Sequence, residues 1–168
     1  KIAKNFDKRD AEKANPIQND LQKILDLTNF DKFKDNATEL FMGPYALPFV
    51  FDVDADMKNT DVNVLHFGGP STFLPDTTTY KTLEAKKLLD ILEKQSINLL
   101  EMAGIGKEEA RVYVQNALAF DQKLSKVVKS TEEWSDYAAI YNPVSLTEFL
   151  AKFKSFDMAD FLKTILPE

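Results

Sequence analysis

The sequence predicts a mainly α-helical fold: a multi-helix domain with a long helical hairpin and one short extended, β-hairpin-like insertion near 48–67. Three observations carry this. Apolar residues recur every three or four positions between 85 and 128, as a core-facing helix requires. The stretch 48–80, PFVFDVDADMKNTDVNVLHFGGPSTFLPDTTTY, interrupts that spacing and alternates instead. Helix start and stop residues flank the periodic runs.

Asn15 followed by Pro16 reads as an N-cap with proline at the first helical position, and Ile17, Leu21, Ile24, Leu25 and Leu27 supply the stripe of a first helix. A second helix is expected from about Asp31 through Phe33, Ala37, Leu40 and Phe41. It should stop at Gly43-Pro44, where glycine adopts a left-handed cap and proline cannot continue the ladder. In the insertion, Phe49, Phe51 and Val53 alternate, Lys58-Asn59-Thr60-Asp61 supplies turn residues, and Val62, Val64 and His66 alternate again.

After Tyr80, Ala85, Leu88, Leu89, Leu92, Leu99 and Leu100 share one face, with Lys86, Asp90, Glu93 and Lys94 opposite. Gly104-Ile105-Gly106 ends that helix. Ala110, Val114, Ala117, Leu118, Leu124 and Val128 carry the next to about Lys129, and the two are expected to form an antiparallel hairpin. Shorter helices should start near Thr131, near Ser145 with the reciprocal capping pair Ser145 and Glu148, and near Asp157; the last runs from Phe161 to Leu166 and Pro167. With no internal repeat or low-complexity linker, residues 1–168 read as one domain.

The 168 residues are 44% apolar and include 13 phenylalanines, enough for a hydrophobic core rich in Phe, Leu, Ile and Val. A net charge of −6 opposes any broad footprint on nucleic acid or anionic membrane. The absence of cysteine excludes disulfides, thiol catalysis and thiolate metal sites. No run approaches the roughly twenty apolar residues of a membrane span, and the charged start is not a signal peptide. The chain opens at Lys1 rather than a methionine, as an excised or processed piece would. The compartment stays open between cytoplasm and a secreted or cell-surface location.

Several motifs imitate chemistry. Asp52, Asp54 and Asp56 have the alternating spacing that opens a calcium loop, but Met57 stands where that loop needs glycine and Asn63 where it needs glutamate. A strand running into a turn fits better. His66 is the sole histidine, whereas catalytic zinc sites take three protein ligands rich in histidine, so HExxH is impossible here. A packed structural role suits it better, and no GxSxG elbow supports a serine triad. Leu99 to Ala110 is similar to a helix-hairpin-helix module whose GxG turn offers amides to DNA phosphates, yet Glu101, Glu108 and Glu109 surround Gly104-Ile105-Gly106 with negative charge. Lys107 lacks P-loop spacing.

The segments Asp54 to Thr60, His66 to Tyr80 and Tyr141 to Phe149 together resemble the N-terminal region of the neprilysin family of zinc metallopeptidases, in wording close to its members from streptococci and lactic acid bacteria. Asp54-Ala55-Asp56-Met57-Lys58-Asn59-Thr60 resembles the family's D-x-D-x-K-N-[ST] segment. His66 to Tyr80, with Phe73-Leu74-Pro75 and the closing tyrosine, resembles its GLP…Y stretch. Tyr141-Asn142-Pro143-Val144-Ser145-Leu146-Thr147-Glu148-Phe149 is similar to Y-N-x-M-[ST]-L-x-E-[LF]. Val144 departs from the usual methionine, and Gly68-Gly69-Pro70 from an acidic-glutamine-proline wording.

The resemblance implies a two-lobed zinc endopeptidase that cuts oligopeptides inside a closed chamber. Its HExxH histidines and third glutamate ligand belong to the C-terminal part and have no matching position here. No catalytic, cofactor-binding or metal-ligating residue is therefore assigned to this chain, and zinc is expected only in the full-length parent. The implied partners are the C-terminal catalytic lobe of the same parent chain and, in that parent, a peptide substrate; nucleic acid is not expected. The implied role is a non-catalytic lid and substrate-admission wall. Two other classes stay open: a stand-alone protein-interaction module with an exposed apolar patch, and a helix-hairpin-helix nucleic-acid binder.

Overall fold

Polar caps decide where the helices begin. In the computed structural model, which describes residues 5–166, Asn5 accepts the Lys8 N–H at 3.1 Å and starts α1 (Phe6–Glu12). This helix was not expected: it has no buried residue and no apolar stripe to announce it. A 3-10 turn, Asn15–Ile17, then leads into α2 (Gln18–Leu25). Pro16 occupies the first turn as expected, but Asn15 lies inside the turn and does not cap it. Helix α3 (Phe30–Met42) opens at Asn29, whose side chain accepts from the Lys32 N–H at 2.9 Å. It ends at Gly43 in extended backbone, φ −95°, so the expected left-handed cap is not formed. Glycine is needed there for room, because a Cβ would meet the Tyr45 ring at 2.8 Å.

The insertion is the expected hairpin. Strand β1 (Val50–Ala55) pairs antiparallel with β2 (Asn63–Gly68), placing Phe51 opposite Phe67, Asp52 opposite His66 and Val53 opposite Leu65. Directly opposed residues share a face, so β2 turns Leu65 and Phe67, rather than Val64 and His66, to the side of Phe51.

A 3-10 turn, Thr77–Lys81, capped by Asp76, precedes the long pair α4 (Leu83–Met102) and α5 (Lys107–Leu124), which pack on each other as expected. Gly104, at φ 96°, closes α4 with the paired bonds Gly104 N–H to Glu101 O and Ile105 N–H to Leu100 O, the Schellman arrangement. Helix α5 stops at Leu124 instead of near Lys129, leaving Val128 half-buried outside it. Helix α6 (Thr131–Ser135) begins at a capping box formed by Ser130 and Glu133, α7 (Tyr137–Ile140) at Asp136, and α8 (Leu146–Leu150) at the expected box of Ser145 and Glu148. Helix α9 (Met158–Ile165) starts at Asp157. Pro167, expected as its stop, lies outside the described residues. The chain is mainly α, with two short strands among the described residues.

The chain gathers into two compact units, each drawn from two stretches: Lys1–Leu27 with Asp76–Val127, and Thr28–Pro75 with Val128–Glu168. In the first unit, buried Ala85, Ala103, Ala110 and Val114 keep the side chains small where α4 meets α5. Gln18 donates to the Ala103 carbonyl at 2.7 Å and ties α2 to the end of α4. In the second, Ala37, Phe49, Met158, Phe161 and Leu162 form a core walled by phenylalanines, with Phe49 and Phe161 edge to face at 5.6 Å and Phe67 and Phe149 at 5.0 Å. The buried rings of Phe49 and Phe161 each contribute about 1.5–3 kcal/mol through burial, and the tilted contacts add to it.

Candidate functional site

The turn between β1 and β2 is closed by Asp56 N–H to Val62 O at 2.8 Å, and the carboxylate of Asp56 organises it from inside. Its Oδ1 accepts the backbone N–H groups of Lys58 at 2.8 Å and Asn59 at 2.9 Å. Tyr141, just past α7, donates its hydroxyl to the same carboxylate, 3.1 Å from Oδ2. The Lys58 ammonium stands over the Tyr141 ring, 4.3 Å from its centroid. The Lys58 N–H holds the Asp56 carboxyl below its ordinary range against the opposing effect of desolvation, with Tyr141 and Asn59 assisting. Desolvation and the neighbouring carboxylate push the Tyr141 phenol upward.

The other sequence candidates lie close by. Asp52 and Asp54 sit in β1 with exposed side chains, and Met57 is exposed beside the turn. Half-buried His66 lies across from Asp52, its Nε2 3.4 Å from the Ala55 carbonyl oxygen. Among the described residues no group of three or more His, Asp or Glu side chains is placed to hold a metal. The best-placed carboxylate, Asp56, accepts two amides and a phenol. The arrangement pins a turn to a distant segment.

A second tyrosine–aspartate pair was only half visible in sequence. Tyr80, the end of the FLP…Y stretch, donates to Asp121 Oδ2 on α5 at 2.5 Å. Asp121 is only 4% exposed. Its signal was present, since Asp121 continues the spacing of Ala110, Val114 and Leu118 on the inward side of α5. The GxG turn is a helix connection: Gly104 supplies the left-handed cap, and Gly106 starts α5 with no side-chain cap while Glu108 and Glu109 occupy the first turn.

The profile of the N-terminal region of peptidase family M13 matches residues 1–168. The chain belongs to peptidase family M13. This is the neprilysin-type metallopeptidase family that the three motifs resemble. The M13 chain is 98% identical over 168 residues to the neutral endopeptidase of Lactobacillus helveticus, covering all of this chain and 26% of that protein. It is 28% identical to a putative zinc metalloproteinase of Streptococcus gordonii, over 99% of this chain and 30% of the relative. Among solved structures, it superposes on PEPO from Lactobacillus rhamnosis with a TM-score of 0.77 and 27% identity, covering 91% of this chain and 24% of that one. The M13 chain thus spans about a quarter of the length of the relatives it matches. No helix among the described residues is long and apolar enough to cross a membrane.

Proposed function

We propose that residues 1–168 are part of the N-terminal helical lobe of a zinc metalloendopeptidase that hydrolyses oligopeptides, acting as lid and substrate-admission wall, without catalytic activity of their own. The observation that carries this is the match itself: an N-terminal M13 profile over the entire chain, which amounts to 26% of a neutral endopeptidase's length. A chain with one histidine cannot hold the HExxH pair that zinc peptide hydrolysis uses. Its partner is the C-terminal catalytic lobe of the same parent chain, which would carry the zinc and meet the peptide. A wall needs stiffness and exclusion of water rather than reactive groups. Interlocked phenylalanines and turns pinned by Asp56 and Asp121 suit that task.

The test compares this chain with the full-length Lactobacillus helveticus relative for peptide cleavage and bound zinc. The expected result is cleavage and stoichiometric zinc in the full-length protein alone. Cleavage or stoichiometric zinc in the 168-residue chain would overturn the reading. Loosening this region within the full-length enzyme should also admit longer peptides, and an unchanged size limit would remove the lid role.

A further inference from the structure

Helix α4 carries more apolar surface than its neighbours in the first unit cover. The sequence pattern assigns Leu88 and Leu99 to the core, yet both are exposed, at 56% and 63%. With Ile91 at 55% and Met102 at 76%, and with Gln95 between them, they recur at three- and four-residue spacing. At about 100° per residue, this strip is centred on the order of 100° around the helix from the side holding Ala85, Leu89, Leu92 and Leu100. It is roughly 21 Å long, four turns of helix. Exposed Lys87 and Lys94, seven residues apart, border it on the side away from that packed face.

We infer that the Leu88–Ile91–Leu99–Met102 strip of α4 is the seat of an α-helix from the part of the parent polypeptide outside residues 1–168. This rests on the reading of the chain as one part of a longer M13 peptidase. About three quarters of the Lactobacillus helveticus relative lies outside the matched region, so the same polypeptide has ample chain to cover the strip. A straight, ridge-like row at this spacing matches the groove of another helix, whereas a strand or an irregular loop would bury it unevenly. Lys87 and Lys94 favour Asp or Glu beside them on the partner helix, and Glu101, the next residue in that row, favours Lys or Arg at its end.

The absence of cysteine makes the test direct. Ile91→Cys and Leu99→Cys, made separately in this chain and at the equivalent positions of the full-length relative freed of other accessible thiols, are titrated with a maleimide. The expected result is rapid labelling in the 168-residue chain and at least about tenfold slower labelling in the full-length protein, reversed by denaturant. Equal rates in both would overturn the inference. So would slow, concentration-dependent labelling in the isolated chain, which would make a second copy the occupant. Because labelling reports cover and not catalysis, slow labelling with an unchanged peptide size limit would sink the lid reading while leaving the helix seat standing.

Discussion

Replacing Tyr80 with phenylalanine is the sharpest probe of the first unit, because it deletes one oxygen and leaves the ring. That oxygen is 2.5 Å from Oδ2 of Asp121, a carboxylate only 4% exposed. A hydrogen bond to a charged group contributes about 1.5–3 kcal/mol. Tyr80→Phe should therefore lower unfolding stability by that amount, equivalent to a fall in melting temperature of about 3–12 °C for a chain of this size. Urea denaturation followed by circular dichroism measures it, with an unchanged m-value showing that the folded state is otherwise intact. Combining Tyr80→Phe with Asp121→Leu removes the charge together with its donor. The double variant should lose less than the sum of the two single losses, because each single variant already loses the Tyr80–Asp121 hydrogen bond and it can be lost only once. A Tyr80→Phe loss below about 0.5 kcal/mol, or strict additivity in the cycle, would refute the reasoning.

Two other perturbations separate geometry from contact and charge from shape. Gly104→Ala meets no atom within 4 Å but forces an L residue to φ 96°, so it should destabilise by about 1–2 kcal/mol in the same urea assay. Gly106→Ala, at φ −61° and equally uncrowded, should change stability by less than about 0.5 kcal/mol. The Glu133 and Glu148 carboxyls are held below their ordinary range, first by the Ser130 and Ser145 backbone N–H groups and then by the serine hydroxyls. Because their folded-state values are depressed, their contribution is complete above the ordinary glutamate range and disappears as pH falls through the lower folded values. Glu133→Gln and Glu148→Gln should each flatten the loss of melting temperature on acidification from pH 6 to about pH 3; parallel curves would reject that assignment.

Local signals were readable because each is contained within a few residues. Ser145 and Glu148 specify their own capping box, Gly104 its own turn, and Asp56 to Asp61 a turn flanked by alternating residues. Pairings across long intervals were not readable in the same way. Nothing near Asp56 announces Tyr141, and nothing near Tyr80 announces Asp121, although the family motifs mark three of those four residues. Periodicity likewise reports that a helix is apolar but not how much of the apolar arc its neighbours occupy, which is why Leu88 and Leu99 were misplaced. Helix α1 has a capping residue, Asn5, but no apolar stripe to accompany it. Nor does the alternating aspartate spacing announce that Asp56 accepts two turn amides and the Tyr141 hydroxyl.

The interleaved descent of the two units has a consequence for how the polypeptide can be built. In the second unit, Ala37 and Phe49 wait for Met158, Phe161 and Leu162 before their core exists. Synthesis from the N-terminus therefore leaves Phe49 without these core partners until residues 158–162 have been added, and closing so long a loop slows that step of assembly. A chain cut short of Val127 completes neither unit, whereas one ended at Val127 holds all of the first unit and only part of the second. For this molecule the smallest heritable part is larger than the smallest compact one.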